Sequence, residues 1–554
     1  MVSAIILSAC TSNSRPELAT GSSSVAPESL TWAFEQEFSS FNLNTPEGGT
    51  QANLVVLNGV LTGFYQFGPD GALIPTTEFG TYRKVRATPL TVEYRINPKA
   101  VWSDGIPITC EDMVFAWLAQ SGVTGKKGFA TGSTLGMEDL AKPRCGADGR
   151  TVTTTYRRPY ADWSAQFGVA TILPAHVVAK QGGLTKSFAY YADHPSSPEL
   201  SKAIAFYNRG WLLKPGELKK DLMPSSGPYV IDSWTAGQSL TLKANPRWWG
   251  TPAKTRTIVI RFIAGSAQAL ALQNGEIQVM DPQPQADLIR QLRAMGDSIE
   301  LTTGESFRYE HLDFGFNGVF RDRSLREAFA RCVPRQLIVD NLVRSQNPKA
   351  KIMQSRFVFP FQPEYATFEN GVGGQRYDQV DLAGARALLG GRRPTVRIGW
   401  YKDPAALNKR RADTVALIRQ SCAAAGFTIV DAGDPTFFEK EWAAGNFDVA
   451  MYASYGTSLV AGNVDYFRTG GGQNPTGYSN RRVDRLLDRL VTQPDQGVQV
   501  GTLLELDSLL WADLATIPLF AFPAVVATRR DVRAVEFNST MADLTWNVGR
   551  WGRG

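Results

Sequence analysis

The sequence predicts an α/β protein, and three observations carry that reading. Short runs alternate apolar and polar residues with period two, as in Leu90-Thr91-Val92-Glu93-Tyr94-Arg95-Ile96. Between them lie stretches whose apolar residues recur at helical spacing, as in Val483–Leu490. Through residues 390–450 the two patterns alternate, as expected of a separate α/β lobe. With 43% hydrophobic and 20% charged residues, the chain can build a large packed core. A length of 554 residues allows three or four domain-sized units, or fewer large ones.

Taken in chain order, residues 1–10 form an address. A short apolar run ends in Ser8 and Ala9 and is followed by Cys10, which reads as the end of an export signal. Leu7-Ser8-Ala9-Cys10 is similar to a bacterial lipobox, which predicts lipid modification of Cys10. The first basic residue is Arg15, so the start of translation is expected upstream of Met1. Residues 11–29 are rich in Ser, Thr, Pro, Gly and Ala and predict a flexible tether, roughly 25 Å from end to end. Leu90–Ile96 predicts a strand with one wet face. Thr109-Cys110-Glu111-Asp112 predicts a helix start, with Thr109 as N-cap and Asp112 closing a capping box ahead of Val114, Phe115 and Trp117. Thr257–Ile263 predicts a more buried strand. Ser266 is expected to cap a helix through Ala269–Leu272 that stops at Asn274-Gly275. Arg323–Val333, Ala405–Gly426 (behind the cap pair Asp403-Pro404) and Val483–Leu490 predict further helices.

Composition excludes several function classes. The net charge is only +6, and basic pairs such as Arg392-Arg393 and Arg410-Arg411 are scattered, so no nucleic-acid footprint is expected. His176, His194 and His311 are far apart and stand in no metal-binding spacing, so neither metal nor cofactor is expected. No apolar run beyond the first residues is long enough to span a bilayer. There is no GxxxxGK[ST] for ATP and no GxSxG; Gly132–Gly136 carries Thr134 at its centre, which speaks against a serine hydrolase and for a protein that is not an enzyme. In an exported chain the remaining cysteines, Cys110, Cys145, Cys332 and Cys422, permit disulfides in three pairings, or stay as buried thiols. Proximity in sequence favours Cys110–Cys145 and Cys332–Cys422.

Seven motifs then occur in one order. They are Val101-Trp102-Ser103-Asp104-Gly105-Ile106-Pro107 running into Thr109–Trp117; Leu173-Pro174-Ala175-His176; Ser226-Gly227-Pro228-Tyr229; and Asn245-Pro246-Arg247-Trp248-Trp249. Leu272–Val279, Arg326–Ala330 and Gly477-Tyr478-Ser479-Asn480 with Val483-Asp484 complete the set. In this order they resemble the extracytoplasmic solute-binding proteins of ABC transporters, family 5, which take oligopeptides, dipeptides or nickel. The resemblance runs from about Leu30 to Asn538. Each motif also has a plain reading: Asp104-Gly105 with Pro107 is a tight turn, and Trp102, Trp117, Trp248 and Trp249 are core anchors. The resemblance implies a two-lobed periplasmic-binding-protein fold (type II, large peptide-binding class) with an extra domain in the first lobe. Lobe one would comprise 30–305 plus 515–554, with the extra domain near 57–174, and lobe two 306–514.

The same resemblance implies where a ligand is held. In peptide-binding members an early strand of lobe one pairs with the ligand backbone; here Glu37, Phe38 and Ser39 fall at that place. A loop of lobe two carries an aromatic residue and an acid that pairs with the ligand's amine. Here Tyr455, Gly456, Thr457 and Ser458 occupy the loop; Ser458 stands at the acid's place, and the nearest acid is Asp465. A buried ammonium needs a carboxylate, so Asp465 or a cleft glutamate such as Glu37 is expected to supply it, unless the amine is blocked. The implied function is a lipid-anchored, monomeric receptor outside the cytoplasmic membrane. It would bind oligopeptides and deliver them to the permease and ATPase subunits of an importer. Other cargoes are a haem (with Tyr455 or His311 as possible ligands), a metal chelate, a sugar or a peptide-like antibiotic. A signalling lipoprotein that has lost transport is a further alternative.

Overall fold

A computed structural model describes residues 29–402, 409–471 and 473–554. Cys10, the tether up to residue 28 and the cap pair Asp403-Pro404 lie outside the described residues. The backbone is organised around one ten-stranded sheet. We number its strands in chain order: β1 (Ser29–Phe34), β2 (Tyr229–Thr235), β3 (Ser239–Ala244), β4 (Thr257–Phe262), β5 (Val279–Met280), β6 (Ile299–Phe314), β7 (Thr395–Tyr401), β8 (Thr428–Asp434), β9 (Val449–Tyr455) and β10 (Thr516–Arg529). Their spatial order is β8-β7-β9-β6-β10-β5-β1-β4-β3-β2.

At one end, β1 lies parallel between β4 and β5, and β2, β3 and β4 form an antiparallel meander whose first turn uses Gly237 at φ +67°. At the other end β7 is parallel to both β8 and β9, with the helix Lys409–Ala425 making the crossover from β7 to β8. This is the alternation expected over 390–450. Two long antiparallel strands, β6 and β10, join the ends. The hydrophobic interior is divided accordingly. One cluster draws on residues from Leu30 to Val279 and again from Val526 to Trp551, and holds Trp32, Trp102, Trp211 and Trp551. A second runs from Leu312 to Phe522 and holds Trp400 and Trp511.

A separate antiparallel sheet is made by Gly80–Ala87, Leu90–Ile96, Thr151–Thr155 and Arg144–Cys145. The helix Cys110–Gln120 is buried along nearly its whole length and is tied to the edge strand by a Cys110–Cys145 disulfide. Its start explains two of the sequence motifs. Thr109 accepts from Glu111 N, and Asp112 accepts from Thr109 N at 2.8 Å. The buried Asp112 carboxylate also accepts from Trp102 Nε1 at 3.3 Å and Ala175 N at 3.1 Å, while His176 Nε2 lies 2.8 Å from Asp104 Oδ2. One carboxylate thus knots the segment of Trp102, the helix start and the Leu-Pro-Ala-His segment. A second disulfide, Cys332–Cys422, joins the helices Arg323–Cys332 and Lys409–Ala425.

Two local expectations are corrected. Ser266 does not cap its helix, which begins at Gly265 with no side-chain cap; a Cβ at Gly265 would collide with the Glu35 carboxylate, which sits against this helix start. The strand at Thr257 ends at Phe262 and is not buried throughout: Ile258 and Ile260 are buried while Thr257, Val259 and Arg261 are half-exposed, because only one face of this part of the sheet is covered. Trp102 and Trp117 are buried, whereas Trp248 and Trp249 are half-buried. Among the described residues no helix is long and apolar enough to cross a membrane.

Candidate functional site

Where β6 and β10 pass between the two ends of the sheet, their ladder is interrupted. Glu305 pairs with Pro523 and the next pair is Tyr309 with Ala521, so Ser306, Phe307 and Arg308 bulge out opposite Phe522. Pro523 cannot donate to a ladder, and a bulge re-aims the side chains it carries. Here it turns Ser306 and Arg308 toward one cavity and Phe307 toward another. The bulge is pinned on both sides: Phe307 N donates to Ser539 O at 2.7 Å, and Gly456 N donates to Phe307 O at 2.6 Å.

The larger cavity, about 250 Å³, is apolar. Leu54, Tyr65, Phe67 and Val169 contribute from the first part of the chain, Phe307 from the bulge, Met541 and Trp546 from the C-terminal segment, and Gly456, Thr457 and Ser458 from the loop after β9. Phe307 is held by the rings of Phe359 and Phe361, at 5.0 and 4.9 Å between centroids. The smaller cavity, about 90 Å³, is polar and is lined by Glu35, Gln51, Gln268, Asp281, Arg308 and Asp543 among others. Thr540 and Met541 line both cavities, so the two form one cleft. The segment between them is fixed by Asn538 Nδ2 to Phe67 O at 2.9 Å and Ser539 N to Pro69 O at 3.0 Å.

The loop after β9 closes over the cleft. Ser458 Oγ donates to Gly71 O at 2.6 Å, and the Asp162 carboxylate accepts from Val460 N and Ala461 N at 3.1 and 2.9 Å. Ser458 is therefore a latch. Its partner is a backbone carbonyl, which wants a donor and would repel a carboxylate. Gly71, at φ +83°, leaves room that a Cβ would fill against Phe307 and Ser458.

The expected early-strand contacts lie elsewhere. β1 ends at Phe34, and the cleft is faced by Phe34, Glu35 and Gln36. Glu37 Oε1 instead accepts from Trp234 Nε1 and Gly237 N at 2.8 and 2.9 Å. Phe38 is core, edge-on to Trp234, and Ser39 is bonded to Asn53. Three consecutive polar residues after Phe34 break the alternation and mark the strand's end. Gly456, Thr457 and Ser458 do line the cleft. The side chains of Tyr455 and Asp465 lie outside what the structure describes. Sequence reasoning missed Gln268, Asp281, Asp543 and the Ser306–Arg308 bulge, all placed by pairings distant in sequence.

His311 has a different place. Its Nε2 lies 2.8 Å from Ser454 Oγ and its Nδ1 2.9 Å from Asp313 Oδ1, and Tyr452 OH donates to Asp313 at 2.6 Å. The connectivity is that of a serine hydrolase, but Ser454 is only 5% exposed and forms no wall of either cavity. The network ties β6 to β9 across the sheet face. Among the described residues no group of His, Cys, Asp and Glu is placed to hold a metal ion.

The family model for bacterial extracellular solute-binding proteins, family 5 (middle part), matches residues 80–474. An uncharacterized lipoprotein of Mycobacterium tuberculosis is 31% identical over 553 residues, covering 96% of this chain and 94% of that protein. The oligopeptide-binding protein OppA of the same organism is 26% identical over 526 residues, 92% of this chain and 82% of that protein. Among solved structures, a periplasmic EDTA-binding protein, EppA, superposes with a TM-score of 0.83 at 20% identity, covering 96% and 97% of the two chains. That last likeness speaks for the fold alone.

Proposed function

We propose that this chain, which belongs to family 5 of the bacterial extracellular solute-binding proteins, is the solute receptor of an ABC importer and takes oligopeptides in the cleft between two lobes. The observation that carries the reading is the cleft itself. It opens at the bulge in the two strands that join the ends of the sheet, has an apolar and a polar compartment, and is latched by Ser458 and by the Asp162 carboxylate. A ligand held there touches both ends of the molecule, so it favours the closed arrangement over an open one. The likeness to OppA supports peptides as cargo.

We take lobe one as 30–305 plus 515–554 and lobe two as 306–514; the two hydrophobic clusters follow this division except that Ala515–Phe522 pack with the second and Ala461 with the first. We further propose that Cys10 carries a lipid anchor outside the cytoplasmic membrane, supported by the lipobox-like sequence and by the lipoprotein relative, and that the closed receptor delivers its solute to permease and ATPase subunits.

The test is thermal unfolding of the full folded part with defined peptide pools. A peptide at 100 times its dissociation constant adds about 2.7 kcal/mol of stability, so binding pools raise the melting temperature by several degrees. If no pool of any length or composition shifts it, while a haem, a chelate or a sugar does, the peptide reading falls and the receptor reading stays.

A further inference from the structure

We propose that the 90 Å³ compartment is a cation subsite that receives an ammonium or guanidinium group of the solute on Glu35, Asp281, Asp543 and the amide oxygen of Gln268. The proposal rests on the cleft reading above and goes on to name the chemistry of one end of the ligand.

Asp281 Oδ1 accepts from Trp32 Nε1 at 2.8 Å; its buried Oδ2 has no N–H donor, and the Asp281 carboxyl is hydrogen-bonded to that of Asp543. Gln268 is 1% exposed; its amide nitrogen donates to Ile263 O at 2.9 Å, and its Oε1 has no partner. Asp543 accepts from Gln51 Nε2 and Leu544 N, both at 2.9 Å. A buried acceptor without a donor costs free energy; Gln268 Oε1 is one, and beside it a pair of carboxyls is held together by a proton that a cationic N–H group would replace. The charge balance points the same way. Three carboxyls from separate parts of the chain line the compartment, and Arg308, which also packs over the Phe522 ring, is the cation among its lining residues. Burial pushes the carboxyls of Glu35, Asp281 and Asp543 up; the Asp543 charge raises Asp281 further, while the Arg308 charge draws Asp543 back down. Asp543 is held at φ +51°, a conformation few side chains adopt, so the backbone is spent on placing this carboxyl.

Size and position complete the picture. At about 90 Å³ the compartment is the smaller of the two and has room for the end of a side chain. It adjoins the 250 Å³ apolar compartment at Thr540 and Met541, which line both. A solute with an apolar body and a cationic end spans both. This also accounts for a lobe-two loop with Ser458 at the acid's place: the counter-charge comes from lobe one and the C-terminal segment.

The experiment is calorimetric titration of the full chain with four pentapeptides of one apolar sequence. They are N-acetylated with norleucine, N-acetylated with lysine, free-amine with norleucine, and free-amine with lysine. Hexylamine is the fifth ligand. The proposal expects at least one cationic peptide to bind about tenfold or more tighter than the acetyl-norleucine peptide. The acetyl-lysine peptide reports a side-chain cation and the free-amine norleucine peptide an α-amine. The preference is expected to vanish in Asp281→Asn and to weaken in Glu35→Gln, a substitution at an exposed residue. If all four peptides bind equally, or the preference survives both variants, the subsite is overturned and the peptide reading stands. If no peptide binds but hexylamine does, and Asp281→Asn abolishes it, the subsite stands and the peptide reading falls. If none of the five binds, both fall.

Discussion

Asp112 shows how much one side chain can organise. Its carboxylate collects Thr109 N, Trp102 Nε1 and Ala175 N inside the protein, so its removal orphans three buried donors as well as a helix start. Asp112→Ala is expected to lower stability by about 2–4 kcal/mol, read from denaturant unfolding. Asp112→Asn keeps an acceptor and is expected to cost less. Glu305 offers a sharper signature. It sits in β6 beside the bulge, accepts from Asn347 Nδ2 at 3.2 Å, and burial raises its carboxyl from an ordinary 4.5 to about 7, partly offset by Lys351. A folded-state value above the unfolded one means a stability contribution present below pH 4.5 and lost as pH rises through 7. Glu305→Gln cannot lose it. At pH 8 the variant is expected to be the more stable by roughly 2 kcal/mol, and at pH 4 the two are expected to be equal. Equal stability of the two at both pH values would contradict the assignment.

Elements were legible to the degree that their signals are local. Leu90–Ile96 alternates cleanly and is a strand over those residues. Thr109 and Asp112 announce a helix whose cap needs only its own first turn. Arg481–Thr492, with Val483, Leu486, Leu487 and Leu490 buried, follows its apolar stripe. The cleft was legible only where the loop after β9 supplies it, at Gly456, Thr457 and Ser458. The rest depends on register: the bulge exists because Pro523 meets Glu305, and Glu35, Gln268, Asp281 and Asp543 meet only once β1 is seated between β4 and β5. No window of sequence contains that information. Glu37 is bonded to Trp234 and Gly237 for the same reason, since three polar residues in a row do not say which one faces the cleft. The Cys332–Cys422 disulfide is a device at this scale. It closes a 90-residue separation between two helices of one hydrophobic cluster. Replacing both cysteines by serine is expected to cost about 4 kcal/mol by loop closure, seen as a lower melting temperature of the half that contains them.

At the scale of the whole molecule the account rests on two ends of one sheet closing on a solute. Closure without solute needs bonds between the ends, and Asp162 supplies two of them. Asp162→Ala is expected to shift the population toward the open arrangement and to weaken every solute by about tenfold, whatever its side chains. A loss confined to one class of solute would instead place Asp162 in direct contact with it. The Ser454–His311–Asp313 network, buried between β6 and β9, braces these two strands. The most direct test of the central claim is native mass spectrometry of the protein as it comes from its host, followed by denaturation and identification of what is released. The account predicts short peptides at one per chain. A single non-peptide compound filling the site in every molecule would contradict it.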